Sequence, residues 1–169
     1  RITDFDYELP PELIARYPAA DRRGSRLLSV TNGIHDLGFA ELPSLLRVGD
    51  LLVFNDTRVI KARLAAKKET GGKAEILVER IESDRVALVH IRASKSPKPG
   101  SRLLVEGGAE AVVVARDDDL FLLEFSADLL PYLEKYGDVP LPPYLEREAD
   151  ESDIERYQTV YAKDPGAVA

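Results

Sequence analysis

Gly49-Asp50-Leu51-Leu52-Val53-Phe54-Asn55-Asp56-Thr57-Arg58-Val59-Ile60-Lys61-Ala62-Arg63-Leu64 is the stretch on which the fold turns. Leu51 to Phe54 are apolar without a break, the pattern of a strand buried on both faces, although period alone does not separate this from a buried helical turn. Asn55 and Asp56 tolerate left-handed backbone and bond to their own main chain, so they end such a strand well. Val59-Ile60 is apolar again, and Lys61 and Arg63 alternate with Ala62 and Leu64 as strand residues do. An amide, a carboxylate, a hydroxyl and a guanidinium are thus expected at the end of a central strand, where open α/β sheets gather their ligands. The alternative is a tight turn in which Asp56 and Arg58 pair with each other.

Downstream, the texture changes. Strand-like runs recur every 10 to 15 residues at Ala74–Ile81, Arg85–Ala93, Arg102–Val105, Ala109–Arg116 and Leu120–Phe125, separated by turn signals such as Thr70-Gly71-Gly72 and Gly107-Gly108. Short strands with regular turns predict a small antiparallel barrel. Within it Val86, Leu88, His90 and Arg92 share one face and Ala87, Val89, Ile91 and Ala93 the other. His90 reads as a half-buried strand histidine with a satisfied hydrogen bond, and His35 as a surface residue.

Upstream, Pro11–Pro18 reads as a short helix, Leu27–Val30 and Thr31-Asn32-Gly33 as the first half of a hairpin, and Phe39–Leu46 as containing another short helix. Beyond the barrel, Leu129–Tyr136 reads as a helix closed by Gly137, and Val139–Tyr144 as a proline-stiffened linker. Asp153–Tyr161 is helical in pattern, with Ile154, Tyr157 and Tyr161 expected on one core-facing side. The expected fold is strand-rich. An α/β domain, incomplete in this chain, is built from 1–64 and 151–169 and interrupted by an inserted antiparallel β-barrel over 65–150.

The chain lacks cysteine, which excludes disulfides, thiolate metal sites and a thiol nucleophile. No glycine-rich phosphate loop and no metal-ligand cluster stands out, so no metal is expected. The net charge of −7 argues against a generic nucleic-acid binder. Its distribution is uneven: residues 1–60 carry net −2, residues 61–100 net +5 and residues 101–169 net −10. The basic block reads either as a polyanion face or as a solvated surface. No signal segment or membrane-spanning run is apparent, and a cytoplasmic monomer is expected.

Phe54-Asn55-Asp56-Thr57-Arg58-Val59-Ile60, with Ala62-Arg63-Leu64, resembles the S-adenosylmethionine:tRNA ribosyltransferase-isomerases of queuosine synthesis. So do Ser25-Arg26-Leu27-Leu28, the unusual Arg92-Ala93-Ser94-Lys95-Ser96-Pro97-Lys98-Pro99-Gly100, and Tyr157-Gln158-Thr159-Val160-Tyr161 with Pro165-Gly166-Ala167-Val168-Ala169. At Gly137-Asp138-Val139-Pro140-Leu141-Pro142-Pro143-Tyr144, Asp138 stands where that family has histidine, so no role is carried to it. The family is about twice as long as this chain, which corresponds to an N-terminal half.

The resemblance implies the same interrupted α/β plan and a reaction in which S-adenosylmethionine, a consumed substrate rather than a cofactor, gives up its ribosyl part. The acceptor is the aminomethyl group of a 7-deazaguanine at the wobble position of tRNA, and the products are epoxyqueuosine-tRNA, adenine and methionine. Such chemistry needs a base beside the sulfonium-activated 5′ carbon, a neutral acceptor amine and a proton for the departing adenine. Asp56 is the expected base or sulfonium-facing carboxylate, with Arg58 orienting it or holding the methionine carboxylate. Asn55, Thr57, Arg63, Gln158 and Thr159 are the expected substrate contacts. Arg92, Lys95 and Lys98 are the expected tRNA contacts. The competing reading is a non-catalytic RNA-binding β-barrel, which needs stacking aromatics; Phe121, Phe125, Tyr132 and Tyr136 are the candidates.

Overall fold

The computed structural model describes residues 1–166 and divides them into two compact units. The first comprises residues 1–53 with 142–148. Its core motif is a hairpin of β1 (Arg26–Ser29) and β2 (His35–Gly38), in register from Arg26↔Gly38 to Ser29↔His35. Asn32 and Gly33 in the five-residue connection, 30–34, both take positive φ, a backbone that asparagine and glycine adopt more readily than other residues. Arg26 pairs with Asp36 across the two strands. The helix expected from Pro11 shrinks to a single 3-10 turn, Pro11–Leu13. Pro18 pushes Tyr17 out of helical backbone, leaving too few residues to offset helix nucleation. A 3-10 turn at Phe39–Glu41 runs into α1 (Leu42–Leu45), as expected. Arg147 ties residues 142–148 to the N-terminal arm, its guanidinium lying 4.1 Å from the Tyr17 ring and its Nε donating to the Arg16 carbonyl at 2.7 Å.

The apolar run Leu51–Phe54 is not the buried strand its composition predicts. Leu51 and Val53 are each 86% exposed, and the run joins no sheet among the described residues. Strand propensity fixes an extended backbone only where a partner supplies the ladder, and here none does. The first strand of the stretch is instead β3 (Thr57–Val59), so Asn55 and Asp56 open a strand rather than end one.

The second unit is built on a closed antiparallel barrel. Its strands are β4 (Arg63–Lys68), β5 (Lys73–Ser83), β6 (Val86–Ala93), β7 (Arg102–Val105), β8 (Glu110–Asp117) and β9 (Leu120–Phe125). They close in the order β4-β5-β6-β9-β8-β7, so no edge is left unpaired. The period-two pattern predicted for β6 holds: Ala87 and Val89 point inward, Val86, Leu88, His90 and Arg92 outward. Leu64, Ile76, Val78, Leu103, Val113, Phe121 and Leu123 fill the interior from the other strands.

Helix α2 (Leu129–Tyr136) adds Leu129, Tyr132 and Leu133 to the same core. The Tyr132 hydroxyl accepts from the Ala109 N–H and donates to the Glu106 carbonyl, tying the helix to the β7–β8 turn. Gly137 ends α2 as predicted, but at φ −85, so not by left-handed backbone. It is needed for close approach: a Cβ there would lie 2.1 Å from the Lys61 carbonyl oxygen.

Beyond the linker, α3 (Glu151–Arg156) is capped by Asp150, whose carboxylate accepts from Ser152 N–H, and by Asp153, which bonds back to Asp150 N–H. The expected core face of Ile154, Tyr157 and Tyr161 does not form; Ile154 and Tyr161 are exposed while Asp153 is buried. The helix stops at Arg156, so Tyr161 lies off it and the i, i+7 relation fails, while the capping box draws Asp153 inward. The chain then returns to β3 through β10 (Asp164–Gly166); residues 167–169 of the Pro-Gly-Ala-Val-Ala motif lie outside the described residues.

Candidate functional site: a cavity beside β3

β3 and β10 pair in parallel, with Thr57 opposite Asp164 and Val59 opposite Gly166. The Lys163 N–H donates to the Asp56 carbonyl at 2.7 Å and the Ile60 N–H to the Gly166 carbonyl at 3.1 Å, closing both ends of the pair. Gly166 lets the two strands approach closely, since a Cβ there would meet the Thr57 methyl at 2.4 Å and force that side chain to shift. The free edge of β3 is satisfied by a side chain. Gln158 accepts from the Val59 N–H at 2.8 Å and donates to the Val59 carbonyl at 3.1 Å, so its amide takes the place of a third strand.

Successive residues of a strand face opposite ways. Thr57 lines a cavity of about 880 Å³ and Arg58 a second of about 400 Å³; Ile60, Leu130 and Pro165 belong to the walls of both. The larger cavity is apolar on the side of Ile60, Leu77, Ile81, Leu130 and Pro165. Its polar groups are Thr57 on β3 and Glu79, Arg80 and His90 on the barrel's outer face. His90 Nε2 lies 3.1 Å from Glu79 Oε2. Arg80 is turned to Glu82, its Nε donating at 2.6 Å. The volume and the mix of apolar wall with a few converging polar groups suit a small-molecule or nucleoside ligand.

The expected site residues are not gathered into one place. Asn55 accepts from the Thr57 N–H at 2.9 Å and so shapes the entry to β3. Asp56 is exposed, and no Asp56–Arg58 ion pair forms among the described residues, so the tight-turn alternative is not what the chain adopts. Thr159 donates its N–H to the Gln158 amide oxygen at 3.2 Å.

Arg63 is half-buried and bridges to Asp138 through main-chain bonds in both directions, while its Nη2 donates to the Leu141 carbonyl at 2.8 Å. It lines a further groove of about 370 Å³ with Lys73, Glu75, Arg92 and Asp138. Lys95 and Lys98 are exposed on the loop after β6, which is pinned by buried Pro97 and by the Lys68 ammonium on the Lys95 carbonyl.

Glu79 is the residue sequence reasoning missed, and His90 the one it read as structural. A signal existed for His90: it shares its strand face with Arg92, facing out. A signal existed for Glu79 as well: it alternates with Glu75 and Leu77 on the outward side of β5, and Leu77 is the cross-strand partner of His90. The aromatics required by a stacking RNA module are turned inward, with Phe121, Phe125 and Tyr132 all buried. Among the described residues no three metal-ligating side chains converge, and no helix is long and apolar enough to cross a membrane.

Comparison with known proteins bears on the whole described length. A crystal structure of an S-adenosylmethionine tRNA ribosyltransferase from Thermotoga maritima is 35% identical over an alignment covering 79% of this chain and 48% of that one, with a TM-score of 0.42. The chain thus spans about half the length of that protein. The model of the queuosine biosynthesis protein family matches residues 2–169, from the N-terminal arm through the barrel to the last residue. The chain belongs to the queuosine biosynthesis protein family.

Proposed function

We propose that this chain is part of a cytoplasmic tRNA-modifying transferase that moves and isomerises the ribosyl moiety of S-adenosylmethionine onto the aminomethyl group of a wobble 7-deazaguanine. Family membership over residues 2–169 is the observation that carries this reading. The cavity beside β3 supports it, with room for a nucleoside, apolar walls and polar groups at one side.

In this reading Asp56 serves the sulfonium-activated carbon and Arg58, on the opposite face of β3 from Thr57, holds the methionine carboxylate. Thr57 contacts the nucleoside directly, and Asn55, Arg63, Gln158 and Thr159 complete the substrate side by holding β3 and its approaches. Arg92, Lys95 and Lys98 contact tRNA phosphates. S-adenosylmethionine is consumed, and no separate cofactor or metal is assigned.

The fold that goes with this function is an α/β domain interrupted by the barrel. The parallel pairing of β3 with β10 on either side of the barrel in sequence supports it, and so does the exposed apolar run Leu51–Phe54, which joins no sheet among the described residues.

Adenine release from S-adenosylmethionine by the full-length protein is the test. Release is expected only when tRNA bearing the aminomethyl base is present. Asp56→Asn is expected to lower it by about 100-fold, the scale of a lost general base. Methyl transfer without adenine release, or no dependence on the modified tRNA, would rule the reading out.

A further inference from the structure

Glu79 meets His90 at an irregularity in the barrel. On β5, Val78 pairs with Val89 and Arg80 with Leu88, so Glu79 is an extra residue with no cross-strand partner. It keeps the outward face that alternation with Leu77 gives it, and bulges of this kind are frequent beside active sites. His90 stands opposite Leu77 on the same outer face, and the carboxylate of Glu79, two residues on from Leu77, lies 3.1 Å from its Nε2. The side chains are 50% and 40% exposed, so this is neither a core histidine nor a remote surface pair; both line the 880 Å³ cavity.

We propose that His90 is the proton acceptor for a cationic primary amine entering this cavity, and that Glu79 is its positioning residue. The assignment rests on the functional reading above, in which the acceptor arrives as an ammonium and must lose a proton before it can attack. A carboxylate accepts only, so Nε2 carries the hydrogen shared with Glu79 and the lone pair is left on Nδ1. One N–H bond of the ammonium breaks, its electron pair stays on the amine nitrogen, and the proton bonds to Nδ1. The imidazolium formed is offset by Glu79, and its proton passes on to water.

The surroundings favour this division of labour. Arg80, the other charged group on the cavity wall, is engaged by Glu82 and does not compete for Glu79. β3, β10 and α2 contribute Thr57, apolar side chains and Gly166 but no charge. A lone carboxylate–imidazole pair against an apolar wall selects a cation, and low local polarity strengthens that selection.

Two measurements test it. Binding of 7-aminomethyl-7-deazaguanine as the free base is expected to shift the His90 ring resonances and to weaken about tenfold in Glu79→Gln, the size of one lost charged contact. Affinity that ignores Glu79→Gln overturns the site. In turnover by the full-length protein, His90→Gly is expected to lose about 100-fold in kcat at an unchanged KM, with millimolar imidazole restoring at least about a tenth of the loss. Glu79→Gln, which keeps the shape but not the charge, is expected to lose about tenfold in kcat. A His90→Gly protein with undiminished kcat, or one that imidazole does not rescue, overturns the proton role. A wild type that binds the amine but releases no adenine overturns the functional reading instead, and the binding arm still decides the site.

Discussion

Gln158 uses its amide to bond both backbone groups of Val59, and its oxygen also accepts from the Thr159 N–H. Val59 is partly buried and its N–H and carbonyl both point away from β10, so without a partner each would be desolvated for nothing. The Gln158 amide supplies a donor and an acceptor at the spacing of a peptide group, which is why glutamine serves where a neighbouring strand is missing. Gln158→Ala is expected to destabilise the unit containing the barrel by about 1–3 kcal/mol, the cost of leaving a buried polar pair unmet. Denaturant unfolding measures this. Loss of S-adenosylmethionine affinity with no loss of stability would instead make the amide a direct substrate contact, as the motif resemblance suggests.

The barrel strands were legible because their interior is dry and their turns are short. Ala74–Val78, Arg102–Val105 and Leu120–Phe125 alternate strictly, and a one-residue slip would turn every apolar side chain outward. Leu51–Phe54 was misread for the converse reason. An unbroken apolar run records that something covers it, not what; among the described residues Leu51, Leu52 and Val53 stay exposed and the Phe54 ring packs edge-on against Tyr161 at 4.9 Å. Likewise the site was half legible. Thr57 and Arg58 sit on the strand next to the cavities, and Glu79 alternates outward on β5, but its meeting with His90 depends on cross-strand register and Gln158 on a ladder bond between residues 99 apart, and neither leaves a local pattern.

Gly137 lies between these cases: its place after α2 was readable, its reason was not. Gly137→Ala would drive a methyl group against the Lys61 and Leu133 carbonyl oxygens, at 2.1 and 2.6 Å, so the end of α2 must lift from the segment joining β3 to β4. A loss of about 2–4 kcal/mol in unfolding free energy is expected, as for other overpacked sites where backbone must move. A loss under 0.5 kcal/mol would mean that α2 packs loosely.

At the scale of the whole molecule, charge separates along the chain, and strand register brings Arg63, Lys67, Lys73 and Arg92 into neighbouring rows of the barrel's outer surface. Cross-strand register puts Lys67 beside Lys73, and Ala65, Glu75 and Arg92 in the next row; Arg63, Leu77 and His90 form the row after that. The groove of Arg63, Lys73 and Arg92 is therefore one row away from the cavity holding Glu79 and His90. A polyanion lying along that groove would bring a base splayed from it within reach of the cavity, which is how single-stranded RNA is read in loops. Glu75 and Asp138 temper the groove, so its selectivity comes from geometry as well as charge.

Lys73→Glu with Arg92→Glu is expected to weaken tRNA binding by about 10- to 100-fold at low salt. It should also flatten the dependence of log affinity on log salt by about one unit for each cation removed, since each phosphate contact releases close to one counterion. Lys95→Glu with Lys98→Glu should do the same if the proline-stiffened loop follows the backbone onward. A pair of variants that lowers affinity without changing the salt slope would mean that the barrel contacts bases or nothing at all, and the polyanion track would then have to lie on another surface.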